Sequence, residues 1–265
     1  MELDPGAAPA GIDESFAGLR VLVTGGSRGL GAATVRRFAA AGATVLAAAR
    51  KVPDDDLPAT FFPADLATAE GASNLARQVI DAVGGIDILV NNAGAGTAPA
   101  DTLVRTDESW ESDLQVNLLS AVRLDRQLVP GMVDRGRGVV VHVSSIASHL
   151  PQPGQVAYAA AKAALNTYSR ALAAEVGPRG VRVVTVLPGF IPTPGAIAHH
   201  RKIAESRGVS LEQAQHDLAT SLNVPMGRPG TPEDAAELIA FLASGRARWL
   251  TGAQYRVDGG IIPVV

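Results

Sequence analysis

The sequence has no cysteine among its 265 residues, which excludes disulfide bonds, thiolate metal sites and cysteine nucleophiles. It also lacks any run of the roughly 18 apolar residues that a membrane-spanning helix needs. Neither sign of charge is in large excess, because 23 basic and 26 acidic side chains leave a net charge of −3. We therefore expect a soluble protein that binds neither nucleic acid nor a membrane.

The N-terminal stretch MELDPGAAPAGIDES is acidic and has no apolar core of the kind found in signal peptides. Residues 1–16 are interpreted as a disordered leader, and a cytoplasmic location is expected. The five histidines show no spacing typical of metal ligands. They are interpreted as surface residues, and no metal is expected.

Short β-branched runs alternate with longer helical patterns after the leader. Most of the runs are continuously apolar, as is typical of a parallel sheet with helices on both faces. No linker rich in proline and glycine divides the pattern. The alternation predicts one α/β domain over residues 17–265 with a doubly wound parallel sheet, the Rossmann type.

The predicted strands are Arg20–Thr24, Thr44–Ala48, Thr60–Pro63, Ile86–Val90, Val139–Val143, Val181–Leu187 and Ala253–Val257. The predicted helices are Leu30–Ala41, Ala69–Val83, Asp107–Arg135, Val156–Val176 and Pro232–Ala243. Thr231 is the expected N-cap of the last helix, with Pro232 in its first position.

The glycine-rich stretch VLVTGGSRGLGAAT follows the first predicted strand. It lacks the third glycine of the G-x-G-x-x-G pattern, because Gly31 is followed by Ala32–Thr34, and it lacks the Gly-Lys-Ser/Thr of a Walker A loop. What remains is T-G-x-x-x-G-x-G ahead of a helix. Such glycines let the backbone turn sharply and let a pyrophosphate approach the positive end of the helix. A tight turn that binds nothing remains an alternative.

Polar residues cluster where other predicted strands end, the edge of a doubly wound sheet at which ligands bind. The sequence Asn-Asn-Ala-Gly occupies positions 91–94 after the fourth strand, and Ser144 and Ser145 follow the fifth. Tyr158 and Lys162 lie one helical turn apart and share a helix face, so the ammonium group can lie near the phenol oxygen. Ser144 is interpreted as a strand-end residue that supports Ser145.

The segments TGGSRGLG, NNAG and SSIASHLPQPGQVAYAAAK, with Pro188-Gly189 after the sixth strand, resemble the short-chain dehydrogenase/reductase family in its single-domain branch. The resemblance extends from Leu19 to Gly260 in order and spacing. It implies the strand order 3-2-1-4-5-6-7. It also implies a catalytic group of Asn117, Ser145, Tyr158 and Lys162, with a local kink at Asn117 that holds a proton-relaying water.

The residues of this group suit the reduction of a carbonyl by hydride transfer, which leaves an alkoxide that must be protonated. Tyr158 is the candidate acid, and we expect Lys162 and the positive nicotinamide to lower its pKa. Ser145 can donate a hydrogen bond to the same substrate oxygen. By family position, Lys162 should also reach the ribose hydroxyls of the cofactor.

The expected cofactor is NADP(H). By family spacing, Ala49 stands where an NAD-dependent enzyme places an acidic residue, while Arg28 and Arg50 offer forks that match a 2′-phosphate. Solvated surface arginines are the alternative. Asp65 is expected near the adenine. The full predicted cofactor set is Gly25, Ser27, Arg28, Gly29, Leu30, Gly31, Arg50, Asp65, Leu66, Asn92, Ala93, Gly94, Tyr158, Lys162, Pro188, Gly189 and Ile191.

Residues 190–226 should form the substrate lid by family position, and their apolar side chains favour a lipophilic ketone over a free sugar. The leading prediction is an NADPH-dependent oxidoreductase that interconverts a ketone or aldehyde and an alcohol. A β-ketoacyl-carrier reductase, with Arg123 and Arg126 as a basic contact, is an alternative. An epimerase or dehydratase of the extended branch and a non-catalytic NADP-binding sensor are less favoured.

The helix predicted over Val156–Val176 is rich in small and apolar residues, more than one sheet face should require. In relatives this helix packs against a second subunit. The prediction is therefore a homotetramer, with a dimer as the alternative. The residues cited for that surface are Ala159, Ala160, Ala161, Ala163, Ala164, Leu165, Leu172 and Val176.

Overall fold

A computed structural model of the chain describes residues 15–53, 56–95, 101–192 and 194–263. Seven parallel strands form one sheet in the order β3-β2-β1-β4-β5-β6-β7. The strand order reverses between β1 and β4, and this switch point opens a crevice at the carboxyl edge of the sheet. The predicted fold class and strand order are confirmed.

The strands are β1 (Arg20–Thr24), β2 (Thr44–Ala49), β3 (Thr60–Pro63), β4 (Ile88–Asn91), β5 (Gly138–Val143), β6 (Val181–Pro188) and β7 (Gln254–Val257). The helices are α1 (Gly29–Ala40), α2 (Ala69–Val83), α3 (Asp107–Leu114), α4 (Ser120–Asp134), α5 (Val156–Val176), α6 (Pro194–Arg207), α7 (Leu211–Ser221) and α8 (Pro232–Ala243).

Both faces of the sheet are buried, which is why the strands are apolar along their whole length. Val21 and Val23 of β1 belong to the core beneath α1 and α8, together with Phe38 and Ile239. Leu22, between the two valines, belongs to the opposite core beneath α2 and α4. The sheet therefore separates two cores and leaves its carboxyl edge for polar residues.

The predicted elements agree with the structure within two residues, apart from one helix and the lid. The helix predicted over Asp107–Arg135 is divided into α3 and α4 by a π-helical turn, Gln115–Leu119. Helices α6 and α7 were not predicted, because few of their residues follow the apolar period of a helix that packs on a sheet. The predicted N-cap of α8 is confirmed, since Thr231 Oγ1 accepts a hydrogen bond from Asp234 N.

The predicted boundary of the leader needs a correction. Phe16 is buried and packs edge-on against Phe38 with ring centres 4.8 Å apart. Its backbone N–H also donates to Ala41 O at 2.7 Å. Phe16 is thus part of the packed domain, and residues 1–14 of the predicted leader lie outside the described residues.

The prediction of surface histidines is wrong for two of the five. His142 is fully buried on β5, where Nε2 lies 2.9 Å from Asp125 Oδ2, and Asn91 donates to the other oxygen of that carboxylate. His200 of α6 is also buried. Within the described ranges no group of three His, Asp or Glu side chains could hold a metal ion. None of the described helices combines the length and apolarity required to cross a membrane.

Candidate active site

The glycine loop joins β1 to α1 at the switch point. Gly25 and Gly29 have φ angles of +65° and +53°, the left-handed region that favours glycine. A Cβ on Gly31 would lie 2.1 Å from Gly25 O and 2.7 Å from Asn92 Nδ2. The loop therefore closes tightly on itself and on the end of β4, which only glycine allows at these positions.

The N-terminus of α1, like those of α4 and α5, lacks the side-chain cap that α2, α7 and α8 have. Thr68, Ser210 and Thr231 each accept a hydrogen bond from the first turn of the helix that follows them. Arg28, the N-cap of α1, makes no such bond, and no acidic residue lies in the first turn. The free N–H groups and the helix dipole suit an anion, so this loop fits the pyrophosphate of a dinucleotide.

Thr24 connects the glycine loop to the segment after β4. Its hydroxyl oxygen accepts hydrogen bonds from the backbone N–H groups of Asn92 at 3.0 Å and Ala93 at 2.8 Å. The Asn92 amide in turn donates to Thr24 O at 2.8 Å. The motif includes Thr24, but its spacing gives no reason for this role.

The predicted cofactor-selecting residues lie around the ends of β2 and β3. Ala49 is the last residue of β2, so that strand presents no carboxylate at its tip. Arg28 and Arg50 are exposed, on the loops after β1 and its neighbour β2. Asp65 is also exposed and its Oδ1 accepts from Ala67 N, whereas Leu66 is buried.

The far wall of the crevice is formed where β6 ends. Gly189 N donates to Val257 O, and a Cβ on Gly189 would lie 2.5 Å from Asp258 Cα. Ile191 N donates back to Gly189 O at 3.0 Å. The Pro188-Gly189 turn is thereby fixed against the end of β7.

Ser145 and Tyr158 meet beyond the end of β5. Ser145 begins a short 3₁₀ turn, and its Oγ accepts from Ala147 N at 3.1 Å. The phenol of Tyr158, on the first turn of α5, lies close enough to the Ser145 side chain for Ser145 to lower its pKa. The two hydroxyls can therefore contact one substrate oxygen.

Lys162 is 3% exposed and lies one turn after Tyr158. Its Nζ donates to Val143 O at 2.9 Å and lies 5.8 Å from the centre of the Tyr158 ring. Burial lowers the pKa of Lys162 to about 8. Ser144 supports this segment, since its hydroxyl donates to Lys162 O at 3.2 Å.

Burial also governs the ionisation of Tyr158. It raises the pKa of the phenol, the hydrogen bond with Ser145 partly offsets the rise, and the Asp113 carboxylate adds to it. The lowering of the Tyr158 pKa expected from Lys162 together with the positive nicotinamide concerns the cofactor complex and stays a prediction. The free-energy cost of burying the phenolate exceeds the stabilisation that its neighbours provide.

Asn117 lies in the π-helical turn, where the resemblance implied a kink. Its Nδ2 donates to Ala95 O at 3.0 Å and to Asp113 O at 3.1 Å, and its Oδ1 accepts from Ala95 N at 3.1 Å. A Cβ on Gly94 would lie 3.0 Å from Asn117 Oδ1 and 3.2 Å from Lys162 Nζ. Gly94 thus lets the amide and the ammonium approach the same point. Turns of this kind are frequent at functional sites.

Sequence reasoning missed two buried residues behind this group, Arg105 and Asp113. Asp113 lies four residues before Asn117, so the i, i+4 spacing on one helix could have indicated it. Arg105 precedes α3 and has no motif that would single it out. Their side chains are only 2% and 1% exposed and face each other across 3.4 Å.

The predicted lid contains α6 and α7, and only part of its apolar surface packs on the body. Val224 is buried near Gly259, whereas Leu222 and Met226 are 40% and 64% exposed. Apolar side chains therefore remain at the surface of this segment, and its role as a lid stays a prediction.

Two surfaces predicted to contact partners are less available than expected. Four of the α5 residues cited for subunit packing are buried within their own chain, namely Ala159, Ala161, Leu165 and Val176. Ala160 remains exposed. In α4, Arg123 donates to Ala67 O at 3.0 Å and to the Gln115 side chain, so it does not form a free basic pair with the exposed Arg126.

Comparisons with known proteins give matches over nearly the whole chain. A family model described as enoyl-(acyl carrier protein) reductase matches residues 25–262. The 3-oxoacyl-(acyl-carrier-protein) reductase FabG of Vibrio cholerae is 34% identical over 247 residues, covering 91% of this chain and 96% of the relative. The 3beta-hydroxysteroid dehydrogenase 1 of Eggerthella lenta is 34% identical over 261 residues, covering 94% and 95%.

Among solved structures, the L-sorbose reductase of Gluconobacter frateurii in complex with NADPH and L-sorbose superposes with a TM-score of 0.89. It is 33% identical and is matched over its whole length by 96% of this chain. The three relatives share a fold and differ in the substrate that their names give.

Proposed function

The chain belongs to the short-chain dehydrogenase/reductase family, and we propose that it is an NADPH-dependent carbonyl reductase in which Tyr158 gives the proton to the substrate oxygen. As a family member it is an oxidoreductase acting on carbonyl or CH–OH groups. One observation carries the proposal. Ser145, Tyr158, Lys162 and Asn117 converge at the carboxyl edge of the sheet, next to an uncapped glycine loop.

The bound cofactor would supply or accept the hydride, and the protein must then handle one proton. Ser145 Oγ and Tyr158 Oη bind the substrate oxygen, which stabilises the negative charge that develops there. Tyr158 Oη transfers its proton to that oxygen as the alcohol forms. The raised pKa of Tyr158 keeps the phenol protonated at neutral pH, as a proton donor requires.

Lys162 and Asn117 assist the proton transfer by Tyr158. Lys162 would donate to the ribose hydroxyls of the cofactor, and its charge favours the phenolate after the transfer. Asn117, fixed to Ala95 on both sides of its amide, would hold a water that returns a proton to Lys162. The four side chains then form one path from solvent to substrate.

NADP(H) is the cofactor that the loop supports best. The uncapped N-terminus of α1 would bind the pyrophosphate, and Arg28 and Arg50 would bind the 2′-phosphate. Asp65 and Leu66 would flank the adenine. Asn92, Ala93 and Gly94 would line the ribose side, and Pro188, Gly189 and Ile191 the nicotinamide side. Gly25, Ser27, Gly29, Leu30 and Gly31 complete the loop.

We propose a lipophilic ketone as substrate, on the strength of the exposed Leu222 and Met226 in the lid segment. The substrate named for the sorbose reductase is a sugar, so a ketose belongs among the substrates to be tested. The alternative is a β-ketoacyl-carrier reductase, which the similarity to FabG favours. The engagement of Arg123 inside the fold weakens the basic contact that a carrier protein would need.

Oxidation of NADPH, followed at the nicotinamide absorbance, tests these options with three kinds of substrate. The panel contains hydrophobic ketones, a β-ketoacyl thioester and a ketose such as L-sorbose. The proposal expects the highest kcat/KM with a hydrophobic ketone. A preference for the thioester would establish the alternative, and no turnover with any carbonyl would leave the NADP-binding sensor.

We further propose a homotetramer in the cytoplasm, with a dimer as the smaller alternative. The exposed Ala160 and the partly exposed Ala163 and Ala164 leave part of α5 smooth enough for close helix packing. The cytoplasmic location is proposed because the reaction consumes a soluble cofactor. A monomer by light scattering at micromolar concentration would refute both oligomeric states.

A further inference from the structure

A buried ion pair lies directly behind the catalytic group. Arg105 Nη1 and Asp113 Oδ2 are 3.4 Å apart, and their side chains are 2% and 1% exposed. The pair formed by Arg37 and Glu237 lies at the surface instead, where the glutamate is 62% exposed. Burying two charges costs free energy that their attraction only partly restores. A buried pair beside a reacting group therefore needs an explanation.

The guanidinium of Arg105 joins three segments beside the proposed catalytic group. It lies just before α3, donates to Ser109 Oγ at 2.8 Å, and reaches the backbone oxygen of Gly154 at 3.0 Å. Gly154 belongs to the loop that connects Ser145 to Tyr158. Arg105 therefore fixes the distance between α3 and the loop that carries the proposed proton donor.

Asp113 faces the catalytic group. Its backbone oxygen accepts the Asn117 amide at 3.1 Å, and Oδ1 lies 3.4 Å from the same nitrogen. Its carboxylate is also close enough to Tyr158 to disfavour the phenolate. Asp113 thus contacts one of the four proposed catalytic residues and acts electrostatically on another.

We propose that Arg105 and Asp113 are positioning residues for the proton-transfer step. Asp113 holds Asn117 in the π-helical turn and keeps Tyr158 in its neutral, proton-donating form. Arg105 holds Asp113 in place and sets how much of its negative charge reaches Tyr158. The inference rests on the proposed role of Tyr158 and adds a device that favours reduction over alcohol oxidation.

The charges that act on Tyr158 come from three elements. On α5, Lys162 Nζ lies 5.8 Å from the centre of the Tyr158 ring, and a positive charge there is expected to favour the phenolate. Asp113, on α3, favours the phenol. Arg105, on the segment before α3, acts through Asp113. Asp113→Asn and Arg105→Met should therefore move the ionisation of Tyr158 in opposite directions.

The test is the pH dependence of kcat for ketone reduction, in which Lys162 loses its proton near pH 8 and the limb that reports loss of the phenol proton lies at higher pH. Asp113→Asn keeps the shape of the side chain and should move that limb to lower pH by at least about half a unit, since a nearby charge is removed. Arg105→Met should move it to higher pH, because the guanidinium no longer offsets the negative charge of the Asp113 carboxylate. Arg105→Lys restores the charge and should return the limb towards its original position.

Glu237→Gln is the matched control, since it removes the carboxylate of a surface ion pair and should leave the limb unmoved. Limbs that stay in place in Asp113→Asn and Arg105→Met, with kcat merely reduced, would overturn the inference. If Asp113→Asn does not fold, the two Arg105 variants decide alone, and an unmoved limb in Arg105→Met overturns it. If the limb above that of Lys162 persists in the residual activity of Tyr158→Phe, the proposed role of Tyr158 itself is refuted.

Discussion

Two regions meet at the carboxyl edge of the sheet, the glycine loop and the catalytic group, and they differ in the chemical groups that they present. The glycine loop offers backbone N–H groups to its proposed ligand, and the side chains proposed to select that ligand, Arg28 and Arg50, are exposed. The catalytic group is made of side chains, and Asn117 and Lys162 are 2% and 3% exposed. One region offers shape and solvated charge to the cofactor, and the other keeps its charges away from water.

Because of this difference, the properties of the two regions have different origins. In the loop, the identity of the residues suffices, because glycine alone permits the turn and arginine is charged in any surroundings. In the catalytic group the surroundings matter as much as the residue. Burial lowers the pKa of Lys162 to about 8 and raises the pKa of Tyr158.

The largest expected effect comes from a substitution in the catalytic group that lowers turnover without weakening cofactor binding. Tyr158→Phe removes the proton donor and should lower kcat by roughly 10²- to 10⁴-fold, while the Kd for NADPH stays close to that of the wild type. Stopped-flow turnover and NADPH fluorescence titration measure the two quantities. Tyr255→Phe, on β7, is the matched control. Near-normal turnover in a folded Tyr158→Phe variant would refute the assignment.

A substitution in the glycine loop should instead raise the Kd for NADPH. In Gly31→Ala the new Cβ would lie 2.1 Å from Gly25 O, so the loop must open and the N–H groups lose their arrangement. Overpacking of about 1–3 kcal/mol corresponds to a rise in the Kd for NADPH of up to roughly 100-fold. Gly245→Ala is the control, since a Cβ there meets no atom within 4 Å. An unchanged Kd would mean that the loop does not bind the cofactor.

Cofactor preference tests the exposed charges of the first region. Charge-assisted hydrogen bonds to a 2′-phosphate contribute about 1.5–3 kcal/mol each, so the wild type should prefer NADPH over NADH by roughly 10- to 150-fold in kcat/KM. Ala49→Asp with Arg50→Ala should reverse the order, and added salt should weaken the wild-type preference. Equal values for both cofactors in the wild type would show that Arg28 and Arg50 are bystanders.

The smallest expected effect concerns the stability cost of a buried ammonium. The pKa of Lys162 lies at about 8 in the folded chain against an ordinary 10.5, so the charge destabilises the fold fully below pH 8 and not at all above pH 10.5. Lys162→Met should therefore raise the free energy of unfolding by about 1–3 kcal/mol at pH 7, with the gain vanishing towards pH 10.5. Urea unfolding at the two pH values measures it. A destabilised variant at pH 7 would contradict this account of Lys162.

The sequence predicted the fold and the loop well for the same physical reason. Continuous apolar runs and glycines constrain the backbone locally, so the parallel sheet and the turn at Gly25 could be anticipated. The strand order was implied by the resemblance. What it could not supply depends on distant contacts. The burial of His142 beside Asp125, the packing of Phe16 on Phe38 and the rise in the Tyr158 pKa all follow from three-dimensional neighbours.

The resemblance brought Asn117, Ser145, Tyr158 and Lys162 into the predicted site, and the structure places all four at one edge of the sheet. Their roles remain predictions. Arg105 was missed because an isolated arginine before a helix has no pattern, and only its contacts with Ser109 and Gly154 single it out.

The central claim is that the two regions act independently, one choosing the cofactor and the other moving the proton. The direct test is a thermodynamic cycle that combines Ala49→Asp and Arg50→Ala with Tyr158→Phe, measured as kcat/KM for NADPH and NADH in all four proteins. Independent regions give multiplicative effects, within the roughly twofold that additive sites show. The preference should then reverse by the same factor with either tyrosine or phenylalanine at position 158. A reversal that disappears in the Tyr158→Phe background would contradict the account.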